Sequence, residues 1–478
     1  MTSANTSRLR VAICGAGIGG LTFALALSRY PDIDIEIYES ARALTEVGAG
    51  IGIFPRPWKV IKMLGLEADL LKVTETQVID GPGKPGYGAL PDLPHIHPTV
   101  SGFRYLLIPI SIGVAKCLVY PFPDHASQSR LGSLMLFHRA DYQQTILNHL
   151  PKRCHTHCSK RLRSYTQRQS GPIELFFEDG TTASCDVLVG ADGVKSVVRA
   201  GVLNEKAQWA RSEGRFKEAA EILQHVEPVW SGATAYRALI PTQKLQAIAP
   251  DHQVLYTPGV QYLGKGGYIL AYRISGGKFI NFVAFVIQHH LENTKFNGPW
   301  MTNVDTGAFA STFAHWEPDV QALVACVEKP MQWAIHTVLP MQSFVSGKVA
   351  LLGDAAHSMT PHQGSGAGQA IEDACILATV LGHPSTNRTN VAQRALRVFD
   401  SIRCPFAYKV MEVSRANGRH FTLLDESGVV DIDKLPQKQQ REYLQRLSRS
   451  IIQNWEWAWT SSIDKPLHDA INMMESSL

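Results

Sequence analysis

The sequence has no uninterrupted apolar run that could cross a membrane as a helix, which takes about 20 residues. Its most apolar stretch, residues 105–120, contains Pro109, Gly113 and Lys116. Proline and glycine disfavour the interior of a helix. We therefore expect a buried pair of strands in this stretch and no membrane contact.

A strong excess of one charge is absent as well. The formal net charge is +4 over 478 residues, and 18% of the residues are charged against 45% hydrophobic. This balance is typical of a globular protein and argues against a dedicated nucleic-acid binder. Internal repeats and low-complexity tracts are also missing. The chain is long enough for two or more domains, each with its own core.

Cysteine is scarce, with 8 residues in the whole chain. Residues 1–7 lack the apolar core of a signal peptide, so we expect a reducing, cytoplasmic setting with free thiols. The run from Cys154 to Cys158 also contains His155 and His157, and this combination of cysteine and histidine is typical of a metal site. On a strand, alternation turns the two histidines away from the cysteines, and we predict no metal site.

Residues 349–381 read as a strand, a turn and a helix. Val349–Leu352 suits a buried parallel strand that ends at Gly353 and Asp354. A glycine-rich run, 361–368, then leads into a segment that favours a helix. A carboxylate at a strand tip beside a helix N-terminus suits a ligand with hydroxyl groups and negative charge. A flavin has both, in its ribityl chain and its N1–C2=O edge, although an ordinary strand–turn–helix unit stays the alternative.

A second glycine-rich turn lies near the N-terminus. It follows the apolar strand 9–14, and Gly15, Gly17 and Gly20 open a helix at 21–27. Glycines here allow a tight turn, close approach to a pyrophosphate and close packing of helix on strand. The next strand, 33–38, ends at Glu39, where a ribose-binding acid is expected. The whole unit predicts dinucleotide binding.

A third unit begins at residue 173. Ile173–Glu178 and Thr181–Cys185, joined by Asp179 and Gly180, predict a hairpin. The strand 186–191 that follows ends at Asp192 and Gly193. Seen alone, this is equally well a buried strand with an Asp-Gly turn.

These three motifs, in this order, resemble those of the class A flavoprotein monooxygenases, the single-component aromatic hydroxylases. The resemblance covers residues 9 to about 420 and is strongest to the salicylate-hydroxylase branch and its fungal relatives. It implies non-covalent FAD bound by residues of the three motifs and by an arginine that begins a helix; these are Gly15, Gly17, Gly20, Glu39, Arg139, Asp192, Gly193, Asp354, Pro361, Gly364, Gly366 and Ala367.

The fold that follows is α/β. We expect a Rossmann-like FAD-binding domain of the p-hydroxybenzoate hydroxylase type, built from 1–83, 130–205 and 339–385. An inserted antiparallel β-sheet substrate domain would take 84–129 and 206–338, and a helical region would take 386–478. Residues 84–130 depart from the family pattern.

The resemblance also implies a reaction. NADPH or NADH, bound transiently, reduces the flavin, O2 adds at its C4a carbon, and the hydroperoxide hydroxylates a small phenol or phenolic acid. Oxidative decarboxylation is one outcome that the salicylate-hydroxylase-like loop allows. The alternatives are a flavin epoxidase or dearomatising monooxygenase of fungal secondary metabolism, and a non-catalytic FAD-binding redox or scaffold protein. The sequence gives no oligomeric state.

On the substrate side, the resemblance indicates three residues. Arg237 matches an arginine that binds phenolate or carboxylate in fungal relatives, but it could instead anchor its sheet to the cofactor domain. Tyr272 matches a pocket tyrosine, although Arg273 replaces the proline that usually follows. His362 could act as a base towards the phenol or could cap the glycine loop. Arg56 stands where relatives carry asparagine, and the sequence assigns it no role.

Overall fold

The computed structural model describes residues 7–44, 50–74, 105–108, 118–121, 135–168, 170–257, 259–391, 394–426 and 428–476. The strands in these ranges are Leu9–Cys14 (β1), Ile33–Tyr38 (β2), Gly50–Ile53 (β3), Tyr105–Ile108 (β4), Leu118–Pro121 (β5), Met135–His138 (β6), Cys154–His157 (β7), Leu162–Thr166 (β8), Ile173–Phe177 (β9), Thr182–Cys185 (β10), Val187–Gly190 (β11), Val229–Pro241 (β12), Val260–Gly264 (β13), Gly267–Ile274 (β14), Phe279–Ile287 (β15), Met301–Asn303 (β16), Met331–Thr337 (β17), Val345–Ser346 (β18), Val349–Leu351 (β19), Leu424–Asp425 (β20) and Gly428–Val429 (β21).

The α-helices of the same ranges are Ile18–Leu27 (α1), Pro55–Met63 (α2), Glu67–Val73 (α3), Arg139–His149 (α4), Val197–Ser212 (α5), Phe216–Leu223 (α6), Thr242–Ile248 (α7), Thr306–Thr312 (α8), Pro318–Ala325 (α9), Asp354–His357 (α10), Gly366–Gly382 (α11), Ala395–Phe421 (α12), Gln437–Trp455 (α13), Trp457–Thr460 (α14) and Asp464–Glu475 (α15).

The first large sheet has the strand order β18-β19-β11-β1-β2-β7. All neighbours from β19 to β7 run parallel, and only β18 runs antiparallel to its neighbour. β11 and β19 are buried at every position because both faces of the sheet are covered. The carboxyl ends of β1, β2, β11 and β19 meet at one edge, where ligands bind in such sheets. The predicted α/β, Rossmann-like fold is confirmed.

The second large sheet is antiparallel, with the order β13-β14-β15-β12-β17-β16. All six of its strands lie within residues 206–338, where the sequence predicted an antiparallel sheet. One face, with Ile269 and Phe282, packs on α8 and α9. The opposite face, with Ala235, Tyr268 and Phe285, packs on α12 and α13. Helices therefore cover both faces of this sheet.

Two smaller predictions of strand pairing are also confirmed. β9 and β10 pair antiparallel across the Asp179-Gly180 turn. β4 and β5 form an antiparallel pair within the apolar stretch 105–120; the rest of that stretch lies outside the described residues. On β7, His155 and His157 both contact Glu36 of β2, at 3.0 Å and 2.6 Å. The seven cysteines that the structure describes are free.

The C-terminal region packs against the start of α2, where Phe54 is the N-cap residue. Trp459 is 5% exposed and packs edge-on against Phe54, with the ring centroids 5.2 Å apart. Across the described ranges, the helices lack the combination of length and apolarity that spanning a membrane requires.

Candidate active site

The three glycines of the turn after β1 have different roles. Gly15 has a φ of +105°, and a Cβ there would lie 2.3 Å from the Ala191 carbonyl oxygen. A Cβ on Gly20 would lie 2.0 Å from the Gly15 carbonyl oxygen. Gly17, at the N-cap of α1, has no atom of the described residues within 4 Å of the position a Cβ would take. Gly15 and Gly20 thus serve packing, whereas Gly17 leaves open space before a helix N-terminus, which suits a pyrophosphate.

Glu39 follows β2 at the same edge of the sheet. Its Oε2 accepts a hydrogen bond from the backbone N–H of Ala16 at 2.8 Å, and Oε1 accepts from the N–H of Ala41 at 2.7 Å. These contacts hold the carboxylate next to the first glycine turn. It therefore lies where a ribose attached to that pyrophosphate would reach it.

Asp192 follows β11 and caps α5. Its Oδ2 accepts from the backbone N–H groups of Val197 and Val198, at 2.8 Å and 3.1 Å. Burial raises the pKa of this carboxyl, and its hydrogen bonds oppose that shift. Gly193 next to it has a φ of +76°. Asp192 thus fixes the turn after β11. Its contact with a cofactor stays a prediction.

Arg199, a residue that the sequence analysis did not assign, joins two of the turns. It is 1% exposed. Its guanidinium donates to the carbonyl oxygen of Val194 at 2.6 Å and to that of Ala355 at 3.1 Å. The turn after β11 and the turn after β19 are therefore held together by one buried side chain.

The turn after β19 presents Asp354 to solvent. Gly353 has a φ of +59°, and Asp354 is the first residue of α10. The Asp354 side chain is exposed and makes no hydrogen bond with any residue that the structure describes. Its carboxylate is thus available to accept from a hydroxyl-bearing ligand, as the ribityl assignment requires.

The glycine-rich loop ends on the N-terminus of α11. Pro361 begins a short 3-10 turn, and Gly364 after it has a φ of +66°. The first hydrogen bond inside α11 runs from the Gln369 N–H to the Ser365 carbonyl oxygen. The N–H groups of Gly366 and Ala367 therefore precede the helical ladder, as the first N–H groups of any helix do. This is the positive end of a 17-residue helix.

A buried group of charges lies behind this loop. Glu372 accepts from Arg56 Nε at 3.0 Å and from Arg403 Nη1 at 2.9 Å. Arg403 Nε also donates to Asp373 Oδ1 at 2.7 Å. The side chains of Glu372, Asp373 and Arg403 are 0% exposed, and that of Arg56 is 4% exposed. We call these four residues with His357 the buried ion cluster.

The buried ion cluster reaches the Gly353–Asp354 turn through Asp373. Its Oδ2 accepts from the Gly353 backbone N–H at 2.9 Å and from His357 Nε2 at 2.5 Å. Burial by itself raises the pKa of Asp373, but His357 and Arg403 outweigh it and lower the pKa to about 2. The ionised carboxylate thus fixes the backbone that carries Asp354.

Arg56 also contacts the C-terminal segment. Besides Glu372, its Nη1 donates to Ser461 Oγ at 2.8 Å and to the Ser462 carbonyl oxygen at 3.1 Å. It therefore ties α2 and α11 to the C-terminal segment. The sequence did contain a signal for this cluster: Glu372 and Asp373 stand side by side in an otherwise apolar helix, and buried acids need partners.

Arg237 lies on β12, on the face of the second sheet that meets the helices of the C-terminal region. It makes no hydrogen bond or ion pair with the described residues. Burial lowers its pKa; Tyr272 opposes this effect and Arg139 adds to it. Arg139 begins α4, as predicted. The three predicted residues are thus close enough to interact electrostatically.

Tyr272 lies where the second sheet meets β3. A Cβ on Gly50 would lie 3.1 Å from its hydroxyl oxygen. Gly50, Phe137 and His138 line a small cavity with Tyr272 between the sheet and the β3–β6 pair. The tyrosine is therefore at an interface between the second sheet and the β3–β6 pair, and its contact with a substrate stays a prediction.

His362 is packed into the second sheet. Its Nδ1 contacts the Tyr268 hydroxyl at 2.8 Å, and its ring lies on Phe285 with the centroids 5.6 Å apart. A Cβ on Gly418 would lie 2.3 Å from the ring. Burial, with a smaller effect of His289, lowers the pKa of His362 to about 3. The imidazole is neutral at ordinary pH and links the glycine loop to the sheet.

Together these residues fit FAD. Open space at Gly17, a carboxylate at Glu39, an exposed carboxylate at Asp354 and unbonded N–H groups at Gly366 and Ala367 match its pyrophosphate, ribose, ribityl chain and N1–C2=O edge. They lie on turns that one sheet edge brings together. The residues themselves come from three distant parts of the chain.

Comparison with known proteins gives the same result. The chain matches the FAD binding domain family over residues 8–212 and 301–414. An FAD-dependent monooxygenase of Strobilurus tenacellus is 32% identical over 98% of this chain and 99% of that protein. A salicylate hydroxylase of Pseudomonas putida is 31% identical over 98% and 95%. A solved substrate complex of salicylate hydroxylase has a TM-score of 0.75 and 26% identity, covering 97% of this chain and 98% of the other.

The two kinds of glycine in the first turn predict separable effects of substitution. Gly20→Ala forces a methyl group onto the Gly15 carbonyl and should lower the free energy of unfolding by about 1–3 kcal/mol. Gly17→Ala meets open space and should leave the stability of the apoprotein unchanged while weakening FAD binding. Denaturant unfolding and FAD titration of both variants test this. Equal loss of stability in the two variants would contradict the assignment.

The lowered pKa of Asp373 predicts how stability changes with acid. Its contribution is fully present above the unfolded pKa of about 4 and is lost as the pH falls towards 2, which amounts to about 2 kcal/mol. Asp373→Asn should therefore be less stable at pH 7, should lose less stability between pH 4 and 2, and should release FAD more readily.

Asp179→Asn is the matched control for this variant. Hydrogen bonds from Lys160 and Thr181 lower the pKa of Asp179 to about 2 as well, but it lies in a surface hairpin. This variant should retain FAD like the wild type. FAD retention in Asp373→Asn that equals that of the control would refute the role of Asp373 in holding the turn.

Proposed function

Because the chain belongs to the FAD binding domain family and is an FAD-dependent monooxygenase, we propose that it hydroxylates a phenolic acid of the salicylate type. Arg237 carries this proposal. A guanidinium that lacks an ionic partner among the described residues, and that is partly removed from water, is stabilised by an anionic ligand. Phenolate and carboxylate both suit its paired donors. The similarity to a salicylate hydroxylase over nearly the whole chain supports the same choice.

The cofactor-binding residues follow from the fit described above. Gly17, Glu39 and Arg139 would hold the adenosine and pyrophosphate part of FAD, Asp354 the ribityl chain, and Gly366 and Ala367 the isoalloxazine. Bound FAD, reduced by NADPH or NADH, supplies the activation of O2 that no side chain can provide. The nicotinamide nucleotide binds only transiently in this proposal.

The protein itself performs three tasks. The N-terminus of α11 offers N–H groups and its positive dipole end to negative charge on the isoalloxazine. The apolar face of the second sheet, with Leu270, Val283 and Phe285, keeps water from the reacting ring. Arg237 holds the substrate as its anion, which favours the electron-rich phenolate. None of these tasks requires a side chain to move a proton.

His362 contributes position rather than proton transfer in this account. Its Nδ1 is engaged by Tyr268, and a base with a pKa of about 3 is poorly matched to a phenol. We propose that it fixes the glycine loop against the second sheet. We also propose a cytoplasmic location, with the aromatic acid and O2 as the only partners that the reaction needs.

An epoxidase acting on an uncharged isoprenoid remains the principal rival. Such a substrate gives Arg237 no anion to bind. The similarity along the whole chain to a salicylate hydroxylase and the unpaired guanidinium both favour an acidic substrate. Loss of CO2 on hydroxylation is the outcome expected if oxygen enters at the carbon that bears the carboxylate.

Removing Arg237 tests this proposal. Arg237→Ala should raise the apparent KM for a hydroxybenzoate by about 10- to 100-fold, because a charged hydrogen-bonded contact is lost, and should divert more reduced flavin to peroxide. The measurements are NADPH and NADH consumption with a panel of phenols and phenolic acids, peroxide release, and product mass to detect added oxygen or lost CO2.

Arg273→Ala provides the matched control. This arginine lies on the neighbouring strand β14, but it is exposed and points to the opposite face. Its removal should leave KM and coupling unchanged. Unchanged kinetics in Arg237→Ala, or equal losses in both variants, would show that Arg237 does not bind the substrate.

A further inference from the structure

A buried side-chain amide lies beside Arg237 on the second sheet. Asn281 of β15 is 5% exposed, and its Nδ2 has no hydrogen-bond partner among the described residues. Buried amides in folded proteins are nearly always hydrogen-bonded, so an unpaired one requires an explanation. A bound ligand that supplies the missing acceptor is one such explanation.

The sheet register places this amide close to the proposed substrate contact. Asn281 is directly opposite Tyr272 of β14, and Arg237 is directly opposite Val283 of β15. Asn281 and Arg237 are therefore diagonal neighbours on adjacent strands, a relation that places Cβ atoms about 7–8 Å apart. Since strand residues alternate, Asn281 shares its face with Val283 and Phe285.

This face of the sheet is fixed to the FAD-binding part of the protein at two places. At one end, Tyr268 and Phe285 contact His362 of the glycine loop. At the other end, the Tyr272 hydroxyl lies against Gly50 of β3. Arg237 and Asn281 belong to the part of the face that extends from Phe285 towards Tyr272. A ring bound there would contact both polar groups and would lie between the two places where the sheet meets the FAD-binding part of the protein.

A second unpaired amide on the same face differs in its position. Gln261 of β13 also has an Nε2 without a partner among the described residues. In register it is opposite Leu270 of β14, which in turn is opposite Val283 of β15. Two strands therefore separate it from Arg237. It is a natural comparison for Asn281, because it has the same chemistry at a greater distance.

We infer that the Asn281 amide is a second substrate-recognition group, which donates to an oxygen of a carboxylate ortho to the phenol, while Arg237 binds the phenol oxygen as its anion. This inference rests on the proposed function and adds a residue that determines specificity. Two donors at this separation select a ring with a carboxylate next to the phenol oxygen over a simple phenol. An analogue without the carboxylate leaves the amide unpaired and binds less well.

The test measures ligand binding to the FAD-loaded protein from changes in flavin absorbance. The probes are two pairs that differ only by the carboxyl group: salicylate with phenol, and 6-methylsalicylate with 3-methylphenol. The variants are Asn281→Leu and Asn281→Asp, which have a similar shape but cannot donate, and Gln261→Leu as the control.

The wild type should bind each acid more tightly than its partner phenol. Both Asn281 variants should weaken binding of the acids by about 10- to 100-fold, the usual cost of an unpaired polar group, and should leave the phenols nearly unchanged. Asn281→Leu should also unfold at the same or a higher temperature than the wild type, since it removes an unpaired buried donor. Gln261→Leu should bind the acids like the wild type.

Three results would overturn the inference. These are unchanged binding of the acids in the Asn281 variants, equal weakening of acids and phenols, and a wild type that prefers neither acid to its phenol. A wild type in which no phenolic compound stimulates NADPH or NADH consumption overturns the proposed function and the inference with it. Unchanged binding in variants of a chain that does show such stimulation overturns the inference alone.

Discussion

The placement of two acids inside α11 is the constraint on which the rest of the site depends. Glu372 and Asp373 are completely buried, and their charged partners Arg56 and Arg403 come to them from α2 and α12. Removing one member of such a cluster leaves a buried charge unpaired, which costs several kcal/mol. The cluster therefore fixes both the helix that carries the glycine loop and, through the Gly353 N–H, the turn that presents Asp354.

The two sheets contribute different parts of the candidate site. The parallel sheet gathers turns from residues 15, 39, 192 and 353 at one edge, since the carboxyl ends of parallel strands share that edge. The antiparallel sheet supplies a rigid face with Arg237 and Asn281, and His362 connects that face to the glycine loop. In the proposed function, the cofactor and the substrate would be positioned by elements that are anchored to one another.

Local patterns in the sequence predicted much of this. The glycine turns, the alternating strands and the hairpin at Asp179 depend on neighbouring residues, and a sequence displays those directly. The buried ion cluster depends on partners 16 to 316 residues apart, which no local pattern identifies. Arg56 stood out only as a departure from relatives, and the burial that makes His362 a weak base arises from Tyr268, Phe285 and Gly418. The roles of Arg56 and His362 therefore follow from packing between residues that are distant in the sequence, which the motifs do not reveal.

The most direct test of the central claim is the affinity of the apoprotein for FAD with and without the Asp354 carboxylate. The account predicts one FAD per chain in the wild type and, in Asp354→Ala, an affinity lower by about tenfold or more. The apoprotein should unfold at the same temperature in both, because this exposed side chain bonds to no described residue. A variant that binds FAD as tightly as the wild type would contradict the account.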